Sequence, residues 1–445
     1  MAAAMHACLK IARDLEARGH RVVFVGLPDC AAYTEPNGFT LVPILDRRFP
    51  RGAIPALESL GAGARDRAFW RQVRAYIREM REMTDGLVRG HDREIEAALR
   101  ALAPDLLLVD SSSVYPALAV FFAHRLGIPS AYVTTLFPHR ADVRYPPLTS
   151  GLVPRDTAFS RFRVGLAWAR RLSQNYCRDK LLTAAGLDVD MRRLFRRLAA
   201  TCGFPAERVS SASLLAPVLD LPELHVCPRA LDFPGEARER RRRHYLGAAV
   251  DLGRSAPPFP WERLAADRPL LYASLGTYFY LGRAGNRELL QRLLDALGGG
   301  PEWQLVLAAG DERMAAELRP PAGTVVVPRA PQLALLERAR LMIGHGGIGG
   351  IEESLFFGVP MVLFPLGFDQ PGNAARVVYH GVGLAGDRRA SPATILDRVE
   401  TVLGDPSFAT RASAMGREIR EEAEAGKGIE AIERLIPTAS RQSVL

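Results

Sequence analysis

The stretch from 339 to 376, ARLMIGHGGIGGIEESLFFGVPMVLFPLGFDQPGNAAR, constrains the fold more than any other. It sets a glycine-rich turn between a buried strand and a helix, then returns to a strand. Ala339 and the run Leu341 to Ile343 read as a short strand of the unbroken apolar kind found in parallel sheets covered on both faces. The strand stops at Gly344. His345, Gly346, Gly347, Gly349 and Gly350 follow, and the helix they open carries Ile351, Leu355 and Phe356 at core spacing. Glycines at such a junction let backbone N–H groups approach a ligand, and a helix start adds partial positive charge, so the turn suits a phosphate or diphosphate. His345 is expected to supply a side-chain donor at the same place.

Two other readings of this turn compete. Residues 344–349 satisfy G-x-G-x-x-G, the dinucleotide-binding fingerprint, but that fingerprint needs an acidic residue at the end of the next strand. Here the next strand, Met361 to Phe364, ends in Pro365. A turn that only packs helix against strand leaves His345, Glu353 and the Asp369-Gln370 pair unexplained.

With these residues in view, HGGIGGIEESLFFGVPMVLFPLGFDQPGNAARV closely resembles the donor-binding signature of the UDP-glycosyltransferase superfamily, inverting nucleotide-sugar transferases with the GT-B fold. PLLYASLGT at 269–277, APQLALLERA at 330–339 and ARGHRVVFVG at 17–26 fall in the family's order, and the bacterial members that modify small molecules look most similar. The resemblance implies an α/β chain of two Rossmann-like domains facing across a cleft. An acceptor-binding domain over 1–248, a linker over 249–267 rich in Pro, Gly and Ser, and a donor-binding domain over 268–445 are expected.

The implied reaction moves a hexose from a UDP- or dTDP-sugar to a hydroxyl of an apolar small molecule, with no metal and no cofactor. Ser274, Gly276, Thr277, His345 and the backbone of Gly346, Gly347, Ile348, Gly349 and Gly350 would hold the leaving diphosphate by electrostatic stabilisation. The resemblance further implies that Glu353 holds the nucleotide ribose and that Asp369 and Gln370 bind the donor sugar, with Asn373 grouped beside them. The segment Val327 to Gln332, including Arg329 and Pro331, would frame the base. Two departures stand out. Plant members have a tryptophan where this chain has Arg329, and Asn-Ser where Gly349-Gly350 stand, which shifts diphosphate binding toward backbone amides and leaves UDP versus dTDP open.

In the family, a histidine after the first strand deprotonates the acceptor and is oriented by an aspartate roughly 100 residues later, a dyad suited to general-base chemistry. Matched on ARGH, that histidine falls at Ala4. His6 lies two residues on, turned by about 200° on a helix, and is the candidate base. Asp110, closing the strand Leu106 to Val109, is the candidate partner, with capping of the next helix as its alternative role. Doubly wound halves normally begin with a central strand, here flanked by Val22 to Val25 and Leu106 to Val109, yet the chain starts on a helix over 5–17. The expectation is that Met1 is an internal start, with an upstream frame carrying an apolar strand and a glycine-rich loop bearing the catalytic histidine.

Composition bounds the remaining choices. At 445 residues with 48% hydrophobic and 24% charged content, the chain suits two globular domains and lacks the apolar run a membrane span needs. A cytoplasmic location follows by default. The net charge of +9 rests almost wholly on arginine, Lys10, Lys180 and Lys427 being the only lysines, and reads as a solvated surface rather than a nucleic-acid footprint. Cys8, Cys30, Cys177, Cys202 and Cys227 have no metal-like or paired spacing and read as reduced thiols.

Residues 55–102 are expected to be helical, and 135–215, rich in aromatics and arginine, is implied to shape the acceptor pocket. Within it, 159–172, FSRFRVGLAWARRL, is expected to pack its apolar stripe on its own domain, with an interfacial helix at a lipid surface as the alternative. SLLAPVL at 213–219 reads as a strand, and the arginine run 238–243 as a solvated face. Two functions compete with transfer: a nucleotide-sugar epimerase, which the aromatic 135–215 region argues against, and a non-catalytic sugar-nucleotide-binding helper.

Overall fold

The computed structural model describes residues 2–53, 67–90, 93–111, 115–138, 141–186, 190–210, 217–234, 243–276 and 283–437. The second α/β unit explains itself most directly from sequence. Strands β7 (Leu270–Ser274) and β8 (Gln304–Ala308) are buried at every position. Both carry the unbroken apolar runs that a sheet covered on both faces requires. With β9 (Val325–Val327), β10 (Ala339–Gly344), β11 (Met361–Leu363) and β12 (Gly383–Ala385) they form one parallel sheet in the order β12-β11-β10-β7-β8-β9.

The chain moves outward from β7 through β8 to β9, then returns to the other side of β7 as β10. The crevice between the ends of β7 and β10 is therefore the point where strand order reverses, and ligands of open α/β sheets bind there. Helices α7 (Arg283–Leu297) and α12 (Pro392–Gly404) cover one face. Leu289, Leu290, Leu293, Ile395 and Val399 pack there on Leu271, Leu305 and Ile343. Helices α9 (Gln332–Leu336), α10 (Ile348–Phe356), α11 (Gln370–Tyr379) and α13 (Pro406–Glu424) build the other face around Tyr272, Val306 and Met342.

The first unit is built differently. Strands β1 (Val23–Gly26) and β2 (Thr40–Pro43) pair only with each other, while β3 (Leu107–Asp110), β4 (Ser130–Thr134), β5 (Glu223–His225) and β6 (Arg243–Tyr245) form a separate parallel sheet. Among the described residues no strand joins β1 to β3. All four residues of β1 are half-buried, as are three of the four in β3, where the corresponding strands of the second unit are fully buried. Helix α1 (Ala2–Glu16) spans both pieces, since Ala7, Ile11 and Leu15 pack with Ala131, Val133 and Leu224, while Leu9 and Ala12 pack with Phe39. Helices α2 (Arg67–Arg89), α3 (Glu94–Leu102), α4 (Ala119–Arg125) and α6 (Met191–Cys202) close a second core around Phe121, Phe195 and Leu198.

Two joints tie the units together. Helix α14 (Lys427–Glu433) crosses back to the first unit, where Ile429 and Ile432 join the α1 core and Glu433 pairs with Arg18 at 2.8 Å. Helix α11 is held at its middle: the Arg376 side chain is 2% exposed, bonds Asp232 at 2.7 Å and lies over the rings of Phe137 and Phe233.

Several expectations need correction. Helix α5 (Ala158–Ala184) does not bury the stripe expected to pack on its own domain: only Val164 is buried, and Phe159, Phe162 and Leu166 are 69%, 67% and 60% exposed. Arg243, read as part of a solvated run, lies in β6 beside Glu223 at 3.6 Å, while 238–242 fall outside the described residues. Most of the strand expected at 213–219 also lies outside them, Val218 forming a single antiparallel bridge with Val209. All five cysteines are free. No helix among the described residues is long and apolar enough to cross a membrane.

Candidate functional site

The crevice between β7 and β10 gathers most of the residues singled out above. β10 ends at Gly344, and α10 begins at Ile348 with Gly347 as its N-cap in extended backbone and no side chain capping it. The first-turn N–H groups of Ile348, Gly349 and Gly350 have no intrahelical acceptor, and the glycines leave them uncovered. Gly349 has nothing within 4 Å of where a Cβ would stand. This end of α10 can receive an anion.

His345 forms the wall opposite. Its ring lies between Gly276 and Gly347, and a Cβ on either would overlap it, so both glycines are required by close approach. Gly276 also has φ +69°, in the left-handed region. Burial lowers the imidazole pKa to about 4, against the opposing effect of its hydrogen bond to the Ser274 backbone. The ring is therefore neutral near pH 7, and a neutral imidazole has one N–H. With the Ser274 backbone as a partner for that N–H, a phosphate at the second nitrogen requires a protonated ring. Ser274 Oγ accepts from Gly276 N–H at 3.2 Å, and Thr277 lies outside the described residues.

Glu353, on α10, points toward the linker and α9. Arg254 forks onto it, with Nη1 to Oε1 at 2.5 Å and Nη2 to Oε2 at 3.1 Å, and Gln332 Nε2 donates to Oε2 at 2.5 Å. Gln332 in turn accepts from the Tyr272 hydroxyl at 3.1 Å. An ionised carboxylate offers about four lone-pair sites. Three are taken, so the ribose contact expected of Glu353 has one acceptor position left. Val327 closes β9, and Arg329 and Pro331 follow in the turn that makes Pro331 the N-cap of α9. They lie at the end of the edge strand β9, with β8 between it and β7. Arg254 had no signal in the sequence beyond lying in a segment that read as linker.

At the end of β11 the chain enters Leu366-Gly367-Phe368. Phe368 is 67% exposed with φ +57°, an uncommon conformation for a large side chain that marks strain at the rim. Asp369 is the N-cap of α11, and burial raises its carboxyl pKa above the usual range, partly offset by Asn373 Nδ2 donating at 2.7 Å. The same Asn373 amide donates to Gly346 O at 3.0 Å, which locks the glycine turn to α11. Gln370 Oε1 accepts from Leu366 N–H and Gly367 N–H at 2.7 and 3.1 Å. Its amide NH₂ makes no hydrogen bond among the described residues.

His6 lies on α1. Burial lowers its pKa below 6.5, and the charges acting on it are Arg254, Glu353, Asp251 and Arg13. Its ring meets Tyr33 edge to face at 5.9 Å. The Asp110 charge raises the thiol pKa values of Cys8 and Cys30, behind burial in both cases. His6 is thus within electrostatic range of Arg254 and Glu353.

Residues 292–435 match a family model described as Erythromycin biosynthesis protein CIII-like, C-terminal domain. The chain is 26% identical over 422 residues to a zeaxanthin glucosyltransferase of Pantoea ananas, covering 94% of this chain and 89% of the relative. It is 32% identical over 218 residues to the oleandomycin glycosyltransferase of Streptomyces antibioticus, which covers 48% of this chain and 49% of that protein. Among solved structures, the glycotransferase of kitacinnamycin aligns with a TM-score of 0.67 at 28% identity, covering 97% of this chain and 96% of that one.

Proposed function

The chain belongs to the UDP-glycosyltransferase superfamily and is a glycosyltransferase of the natural-product type; on that premise we propose that it transfers a hexose, with inversion, from a UDP- or dTDP-sugar to a hydroxyl of an apolar small molecule. The observation that carries this reading is the uncapped amino end of α10 standing beside Asp369 and Gln370. An anion site and hydroxyl-reading groups meet there at one strand-end crevice.

In the proposed reaction the acceptor oxygen attacks the anomeric carbon from the face opposite the diphosphate. The bond from that carbon to the diphosphate oxygen breaks, and its electron pair leaves with the diphosphate. The α10 amides stabilise that developing charge, which such preorganised donors do best in a site shielded from water. His6, neutral at pH 7, takes the acceptor proton as general base. Glu353 is the proposed ribose contact, through its remaining acceptor position. Residues 1–248 form the acceptor half in this proposal, and 268–445 the donor half.

Screening an acceptor panel that includes carotenoid and polyketide alcohols against UDP- and dTDP-hexoses tests the reading. Mass spectrometry is expected to show a gain of one hexosyl unit. Absence of product on every acceptor, together with no calorimetric binding of either nucleotide, contradicts it.

Gln370 allows a narrower test. Gln370→Glu retains the oxygen that accepts from Leu366 and Gly367 but removes the NH₂ and adds charge beside Asp369. Losing a hydrogen bond to the sugar is worth about 1 kcal/mol or more. The KM for the nucleotide sugar should therefore rise about fivefold or more, while affinity for the free nucleotide stays near wild type. Equal losses for both would place Gln370 at the nucleotide instead.

A further inference from the structure

Helix α5 runs 27 residues, about 40 Å at 1.5 Å per residue, with one narrow inward line and a broad outward face. Val164 is buried, and Trp168 Nε1 donates to Tyr145 O at 2.7 Å, which fixes the inward side. On the other side Phe159, Phe162, Leu166, Tyr176 and Leu181 are 69%, 67%, 60%, 64% and 71% exposed. Large apolar residues exposed along one helix face are uncommon in a soluble fold and mark an interaction surface.

Charge decides what covers it. Within Ala158–Ala184 the basic residues are Arg161, Arg163, Arg170, Arg171, Arg178 and Lys180, against Asp179 alone. Arg163 lies 5.9 Å from the Phe159 ring centre and Lys180 5.5 Å from that of Tyr176, so the cations accompany the aromatics. Pairing this face with the same face of a second copy sets like charges together, which disfavours association. An anionic bilayer offers an apolar layer beneath a sheet of negative phosphates and fits both features.

We propose that α5 is an in-plane docking helix for an anionic lipid surface, its aromatics and leucines entering the headgroup boundary and its arginines on the phosphates. This face lies outside the β7–β10 crevice, and its test needs neither donor nor acceptor, so its outcome is independent of the transfer reaction.

The test is co-sedimentation with vesicles of equal parts phosphatidylcholine and phosphatidylglycerol, beside vesicles of phosphatidylcholine alone. The protein should partition into the anionic vesicles, far less into the neutral ones, and more weakly at high salt. Two sets of substitutions, F159S/F162S/L166S and R163E/R170E, should each lower the partition coefficient about tenfold or more. Because all of these side chains are exposed, their thermal transitions should match wild type, and the charge-reversed variant keeps the test open if the other fails to fold. Three results overturn the proposal: no binding to anionic vesicles, undiminished binding by both variants, or a wild-type dimer in sedimentation velocity that F159S/F162S/L166S converts to monomer.

Discussion

Arg376→Ala is expected to destabilise the protein by about 3–5 kcal/mol, since removing one member of a buried ion pair leaves the other charged and unsolvated. Arg376 is on α11 in the second unit and all but fully buried. Its Nε and Nη2 bond Asp232 Oδ1 at 2.8 and 2.7 Å, and its Nη1 donates to Gly372 O at 3.1 Å. Phe137 and Phe233 of the first unit flank the guanidinium at 4.1 and 4.4 Å.

Asp232 is itself held by the Tyr245 hydroxyl at 2.5 Å, so the stranded carboxylate has no freedom to swing into water. Replacing both partners, R376L/D232L, should cost clearly less than the sum of the single changes, because no unpaired charge remains. Urea unfolding of the four proteins measures this. A single-variant effect below about 0.5 kcal/mol, the range of ordinary surface changes, contradicts the pairing as a structural joint. The same joint fixes the amino end of α11, because Gly372 N–H donates to Leu148 O of the first unit at 2.7 Å.

His6→Ala should lower kcat by about 10²–10⁴, the usual contribution of a positioned general base. The pH profile adds a signature. Burial, and next the Arg254 charge, hold the His6 pKa below 6.5, so the base is in its working, neutral form at pH 7. The rate should fall only as pH drops through that lowered value, and the acid limb should disappear in the variant. Turnover that is unchanged in His6→Ala assigns the proton to another group.

Much of the second unit was legible in the sequence, for a physical reason. Runs such as Leu270 to Ala273 and Leu341 to Ile343 are buried on both faces and so carry no polar interruptions, and the glycines after them mark where a ligand or a ring approaches backbone. The first unit was harder. β2 (Thr40–Pro43) and β6 (Arg243–Tyr245) are short and half-exposed, so neither shows a run or an alternation long enough to separate from a loop. Helix α5 misled in the opposite way: an apolar stripe looks the same in sequence whether it faces a core or the outside.

The crevice residues and the joint between the units were half visible. Glu353, Gln332, Asp369 and Gln370 were picked out by the resemblance to the family's donor-binding signature, not by spacing alone. Arg254 arrives from a distant loop and Arg376 from the middle of a helix, and the partner of each lies more than ninety residues away in sequence. Nothing local announces such contacts.

The central claim, that the β7–β10 crevice with His345 on its wall receives the donor diphosphate, is tested most directly by calorimetric titration of a nucleotide sugar between pH 5 and pH 8. The free imidazole, with a pKa of about 4, is neutral throughout this range. A bound diphosphate stabilises the protonated ring and raises that pKa, so binding takes up a proton below the bound-state value. Affinity should accordingly strengthen as pH falls and weaken as pH rises through it, with proton uptake visible as a dependence of heat on buffer. His345→Gln should flatten this dependence and weaken binding at the acid end by about 1–3 kcal/mol, the worth of a hydrogen bond to a charged group. Affinity and proton uptake unchanged in that variant would contradict the assignment.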